Sequence, residues 1–132
     1  MDRATGESTQ SLKTIVVAED DPSSRELVCE ILEAQGYHVV ETCNGPDALE
    51  KIQELIPDLV LMDIQMSVIN GYEATRQIRQ FNDKVIIIAQ TAYGLAGDRE
   101  KAIEAGCNDY VSKPLNLALL KRLVKKYFNR TE

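Results

Sequence analysis

Two rhythms of hydrophobic and polar positions alternate along this chain. Short strand-like runs fall at Thr14–Ala18, His38–Glu41, Leu59–Met62, Val85–Ala89 and Tyr110–Ser112. Between them lie stretches with apolar residues at helical spacing. Pro22–Gln35 carries Leu27, Val28, Ile31 and Leu32 and stops at Gly36, a C-terminal signal. Gly45–Leu55 carries Ala48, Leu49 and Ile52, and Pro57 prevents its continuation. Tyr72–Phe81 places Ile78 on one face, Leu95–Ala105 ends at Gly106, and Leu115–Phe128 carries a wide stripe through Leu120, Val124 and Phe128. A run as apolar as Leu59-Val60-Leu61-Met62 belongs to a strand buried on both faces. Five strands alternating with five helices predict an α/β fold, a doubly wound (βα)5 parallel sheet with right-handed crossovers. Periodicity leaves the strand order open. Short linkers and the lack of repeats predict one domain over residues 13–130, after a polar, disordered lead-in over residues 1–12.

Composition narrows the function classes. The chain's 132 residues suffice for one core, and a net charge of −6 argues against direct nucleic-acid binding, which needs a basic stripe. No run approaches the roughly 20 apolar residues of a membrane span, and no secretory signal is visible. A cytoplasmic protein without membrane insertion is expected. Cys29, Cys43 and Cys107 are odd in number and widely spaced, which fits neither a disulfide framework nor a metal pattern. They are expected to be small buried hydrophobes in a reducing compartment. His38, the single histidine, lies in the second strand, away from the chemistry below.

Asp63 ends the third apolar run, at the strand edge where open parallel sheets place their ligands. Glu19 and Asp20 end the first run in the same way. If strands one and three are neighbours, three carboxylates share one crevice and repel unless protons or a cation intervene. Oxygen-only ligation suits Mg²⁺, with Asp20 and Asp63 as direct ligands and Glu19 acting through a bound water. Asp21 reads instead as the cap of the helix that Pro22 opens. Thr91 follows strand four and Lys113-Pro114 follows strand five, a hydroxyl and an ammonium arriving at the same edge.

In these positions the chain resembles the receiver domains of two-component response regulators. Glu19-Asp20, Asp63, Thr91-Ala92 and Lys113-Pro114 carry the likeness over roughly residues 13 to 128. Asp63-Ile64-Gln65-Met66 with Gly71-Tyr72-Glu73-Ala74-Thr75 is especially similar to the receivers of hybrid sensor histidine kinases. The resemblance implies a CheY-like, flavodoxin-like sheet of order 2-1-3-4-5, the order chemotaxis receivers themselves exemplify. It implies Asp63 as phosphoacceptor from a phosphohistidine on a histidine kinase or histidine phosphotransfer protein. Mg²⁺ would be held by Asp20, Asp63 and the backbone carbonyl of Gln65, with Glu19 acting through water. Lys113 would pair with a phosphoryl oxygen, and its bond to Pro114 would be cis. Thr91 and Tyr110 would form the switch, altering the face of the fourth helix, fifth strand and fifth helix, where an unknown downstream protein binds. Ser67 stands where the family usually has Pro, and Asn70 where it often has Asp, so Ser67–Gly71 is expected to be less rigid. Gln65 and Tyr93 occupy positions that tune loss of the phosphoryl group.

Three other readings compete. An aspartyl-nucleophile phosphatase or phosphotransferase commonly needs a second acid two residues on, where this chain has Gln65. A flavodoxin-like FMN carrier is disfavoured by the acidic Glu19-Asp20-Asp21 loop and the lack of Trp. A folded scaffold that is never phosphorylated is disfavoured by the full set of site positions. The reading taken is a phosphoacceptor module, not an enzyme with turnover.

Overall fold

Each strand-like run becomes a strand and each amphipathic stretch a helix in a computed structural model that describes residues 12–92 and 96–129. The strands are β1 (Thr14–Ala18), β2 (His38–Thr42), β3 (Leu59–Asp63), β4 (Ile86–Thr91) and β5 (Asp109–Ser112). The helices are α1 (Pro22–Ala34), α2 (Gly45–Leu55), α3 (Gly71–Phe81), α4 (Asp98–Ala105) and α5 (Leu117–Phe128). All strand pairings are parallel, in the order β2-β1-β3-β4-β5. β3 is therefore central, and all five of its residues are buried.

Strand alternation sends successive side chains to opposite faces. Ile15, Val17, Leu59, Leu61 and Ile88 pack with Val28 and Leu32 of α1 and Leu120 and Val124 of α5. Val16, Ala18, Val60, Met62, Ile87 and Ala89 pack with Ala48 and Ile52 of α2, Ala74 and Ile78 of α3 and Ala102 of α4. Two helices thus cover one face and three the other. Each of the buried Val, Leu, Ile and Met side chains among them contributes roughly 1.5–3 kcal/mol.

Helix starts crowd the C-terminal edge of the sheet, and four of them are capped by a side chain. Asp21 accepts from Ser24 N (2.8 Å), Asn44 from Asp47 N (2.8 Å), Asn70 from Glu73 N (3.0 Å) and Asn116 from Leu119 N (3.0 Å). The last cap explains why α5 begins at Leu117 rather than at Leu115. α4 begins at Asp98, after Gly97 at φ 90°, a left-handed turn residue. The expected start at Leu95, the tuning position Tyr93 and residues 1–11 of the lead-in lie outside the described residues. β4 runs past Ala89 through Gln90 and Thr91, because Asp63 pairs with Gln90 and Thr91 with Ser112.

One expectation about the cysteines is corrected. Cys29 and Cys107 are buried, but Cys43 is exposed, in the short connection between the edge strand β2 and α2.

Candidate functional site

Placing β1 beside β3 puts Glu19 and Asp20 next to Asp63. One carboxylate oxygen from each lies within 4.8 Å of the others. Glu19 and Asp63 are each only 1% exposed, whereas Asp20 opens to solvent. Lys113, reaching over from the end of β5, sets its Nζ 3.1 Å from Glu19 Oε1 and 3.4 Å from Asp63 Oδ2. The Lys113–Pro114 peptide is cis.

Backbone and side-chain donors fix the acids. Asp63 Oδ1 accepts from Gln65 N at 3.0 Å. Glu19 Oε2 accepts from Asp21 N at 3.1 Å, and Glu19 Oε1 from Gln90 Nε2 at 3.2 Å. Arg25 braces the same strand end by donating from Nη1 to the Glu19 carbonyl at 2.8 Å, and it pairs with Glu41 at 3.3 Å. One ammonium contacts two of the three clustered carboxylates. Burial, and then the charge of Asp63, push the Glu19 carboxyl up to about 7. Burial pulls the Lys113 ammonium down, but Asp63 and Glu19 outweigh it and hold the group above its ordinary value. An all-oxygen donor set short of positive charge fits a hard divalent cation such as Mg²⁺.

The segment after Asp63 is shaped by two backbone features. Ile69 N donates to Ser67 O at 3.0 Å, a three-residue turn with Val68 at φ 75°. Val68 is β-branched, so this left-handed position is strained. The chain then returns to the strand: Gly71 N donates to Ile64 O at 2.9 Å. A Cβ on Gly71 would stand 2.6 Å from the Asp63 carbonyl oxygen and 2.8 Å from Ile64 Cα. Only glycine lets α3 start this close to the acceptor.

The other strand ends divide between the two faces. By alternation Asp63 follows Leu59 and Leu61 toward the α1–α5 layer, and Gln90 follows Ile86 and Ile88. Buried Thr91 falls on the opposite face, where Tyr110 packs half-buried against the α2–α3–α4 core. Glu19, Asp20, Asp63 and Lys113 meet at one point, and Thr91 ends the strand beside β3. His38 is exposed on β2, remote from this edge. Arg25 and Gln90 were not evident as site residues from the sequence. Gln90 left a signal nonetheless, a polar residue in a run whose alternation calls for an aliphatic one.

A parallel sheet that gathers acids and an ammonium where β1, β3 and β5 end defines a doubly wound α/β domain with a cation-ready site at its C-terminal edge. Within that class the chain belongs to the response regulator receiver domain family, whose sequence profile matches residues 15–125. It is 34% identical over 117 residues to the polar-differentiation response regulator DivK of Brucella anthropi, covering 87% of this chain and 95% of that protein. Among solved structures, the receiver domain of sensor histidine kinase PA1611 from Pseudomonas aeruginosa PAO1, with a magnesium ion in its active-site cleft, is 36% identical. It superposes with a TM-score of 0.82 over 89% of this chain and 98% of that one. A response regulator from Chloroflexus aurantiacus is 30% identical, with a TM-score of 0.84 over 90% of this chain and 99% of that one. The protein is a receiver domain of two-component signalling.

Proposed function

We propose that Asp63 accepts a phosphoryl group from a phosphohistidine on a histidine kinase or histidine phosphotransfer protein. The observation that carries this reading is the position of Asp63, buried at the end of the central strand, between two further acids and the Lys113 ammonium. An Asp63 carboxylate oxygen attacks phosphorus, the bond from phosphorus to the imidazole nitrogen breaks, and that nitrogen keeps the electron pair. Asp20, Asp63 and the backbone carbonyl of Gln65 would hold Mg²⁺, and Glu19 would hold a water on it. When bound, the ion neutralises phosphoryl oxygens, which supplies much of the rate in phosphoryl transfer. Lys113 exchanges its contact with Asp63 for one with a phosphoryl oxygen. Thr91 offers its hydroxyl to the same group, and Tyr110 turns inward. The added charge thereby biases a two-state element. The altered surface is that of α4, β5 and α5, where a downstream protein docks.

Support for a switch rather than a turnover enzyme comes from Gln65, exposed where an aspartyl-nucleophile phosphatase would carry its second acid. We assign the domain to residues 13–130 and the protein to the cytoplasm, a compartment suited to its free thiols. Among the described residues no helix is long and apolar enough to cross a membrane.

Incubation with Mg²⁺ and a small phosphodonor, read by intact mass, tests the reading. One phosphoryl adduct is expected, absent in Asp63→Asn. No adduct at any Mg²⁺ concentration would favour a scaffold, and steady release of product from many phosphoesters would favour an enzyme. Lys113→Ala is expected to keep the fold and abolish the response of tyrosine fluorescence to the phosphodonor; an unaltered response overturns the coupling.

A further inference from the structure

We infer that Gln90 is a positioning residue of the phosphoacceptor site, its buried side-chain amide holding the Glu19 carboxylate in place when Lys113 is drawn to the phosphoryl group. The inference rests on the reading of Asp63 and its neighbours given above. β4 sends Ile86, Ile88 and then residue 90 toward the α1–α5 layer, so an aliphatic side chain is the low-cost occupant. Gln90 is instead 1% exposed, and a buried amide without a partner costs roughly 1–3 kcal/mol. It lines a cavity of about 270 Å³ whose wall is otherwise largely aliphatic, formed by Leu27, Val28, Pro114 and Leu115 together with Ser24 and Lys113. The side-chain hydrogen bond it makes is the 3.2 Å donation to Glu19 Oε1, across 71 residues of sequence.

The same residue also ties down the acceptor strand. Gln90 pairs in register with Asp63, and its carbonyl accepts from Ile64 N at 2.9 Å. One position in β4 therefore fixes the backbone just after Asp63 and the side chain of Glu19 at once. Among the described residues Glu19 has three donors: Gln90, the Asp21 backbone N–H and Lys113. Lys113 is shared with Asp63 and sits on a long flexible stem, so it is the donor that leaves. The other two are anchored by a strand and by the backbone. With Gln90 in place, Glu19 stays aimed after Lys113 has moved.

Gln90→Met keeps the length of the side chain and removes the donor, and Gln90→Leu restores the aliphatic pattern. The measurement is the rate of Asp63 adduct formation from a small phosphodonor as a function of Mg²⁺ concentration. Both variants are expected to need more Mg²⁺ for half-maximal rate, by up to about tenfold, since only the part of this hydrogen bond that strengthens when the ion binds is lost. Their melting temperature should stay near that of the wild type, because an aliphatic side chain suits this position. That combination is one a merely structural residue would not give. In a Glu19→Ala background Gln90→Met should add nothing. A wild-type midpoint in both variants, or an equal penalty without Glu19, overturns the inference alone. Absence of any Mg²⁺-dependent adduct in the wild type overturns the site reading and this inference with it.

Discussion

Backbone geometry at two single residues shapes the segment that follows Asp63. Gly71 has no room for a Cβ, because the atoms it would meet belong to the backbone of Asp63 and Ile64 and cannot swing aside. Gly71→Ala is expected to cost about 2 kcal/mol of unfolding free energy, measured by urea titration. Val68 presents the opposite case, with a side chain 79% exposed and a left-handed backbone. Val68→Gly should relieve the strain without losing packing, for a gain of about 0.5–1 kcal/mol in the same titration after glycine's entropic cost. The thiols give a third check at this scale. Burial pushes Cys29 up to about 12 and also raises Cys107, while Cys43 lies open. A maleimide should add once, rapidly, to the folded protein, and Cys43→Ser should abolish that adduct.

At the scale of elements, α3 links the acceptor loop to the far edge of the sheet. Its first residue abuts Asp63, and near its last turn Arg79 donates to Gly106 O (2.9 Å), Asn82 O (3.2 Å) and Asn108 Oδ1 (2.9 Å). Arg79→Ala should destabilise the fold by roughly 2–3 kcal/mol, because partly buried acceptors lose their donor. Below its melting range the variant should still take up a phosphoryl group at Asp63, since Arg79 acts at the helix end remote from the site. Elements are also where the sequence was most legible. The five apolar runs and the stop signals at Gly36, Pro57 and Gly106 located every strand and helix core, and Asp21 could be read as a cap. What remained hidden depended on neighbours. β4 continues through Gln90 and Thr91 because β3 and β5 pair with them, and Cys43 is bare in the connection that follows the edge strand β2. The meeting of Glu19 and Asp20 with Asp63 needed the strand order, which periodicity does not encode. Likewise, Arg25 and Gln90 act through contacts that only the assembled edge creates.

For the molecule as a whole, burial of Glu19, and then its place beside Asp63, makes stability depend on pH and on cations. The Glu19 carboxyl stands at about 7 in the folded protein against 4.5 ordinarily, so folding favours its neutral form. The contribution is full below about 4.5 and is lost as pH rises through about 7, on the order of 2 kcal/mol in the metal-free protein. Melting at pH 5.5 and pH 8 with and without Mg²⁺ checks this. Mg²⁺ should raise the melting temperature clearly at pH 8 and little at pH 5.5, and an equal rise at both would contradict the assignment to Glu19.

The sheet also separates two sets of side chains that never touch. Val28 packs in the α1–α5 layer and Ile78 in the α2–α3–α4 layer, with five strands between them. Truncations such as Val28→Ala and Ile78→Val should therefore add in free energy to within about 0.5 kcal/mol. Independence of this kind bears on descent as well as on stability. A substitution accepted on one side of the sheet need not be answered by one on the other. Asp63, at the end of the strand that both layers enclose, is set by the one backbone they share.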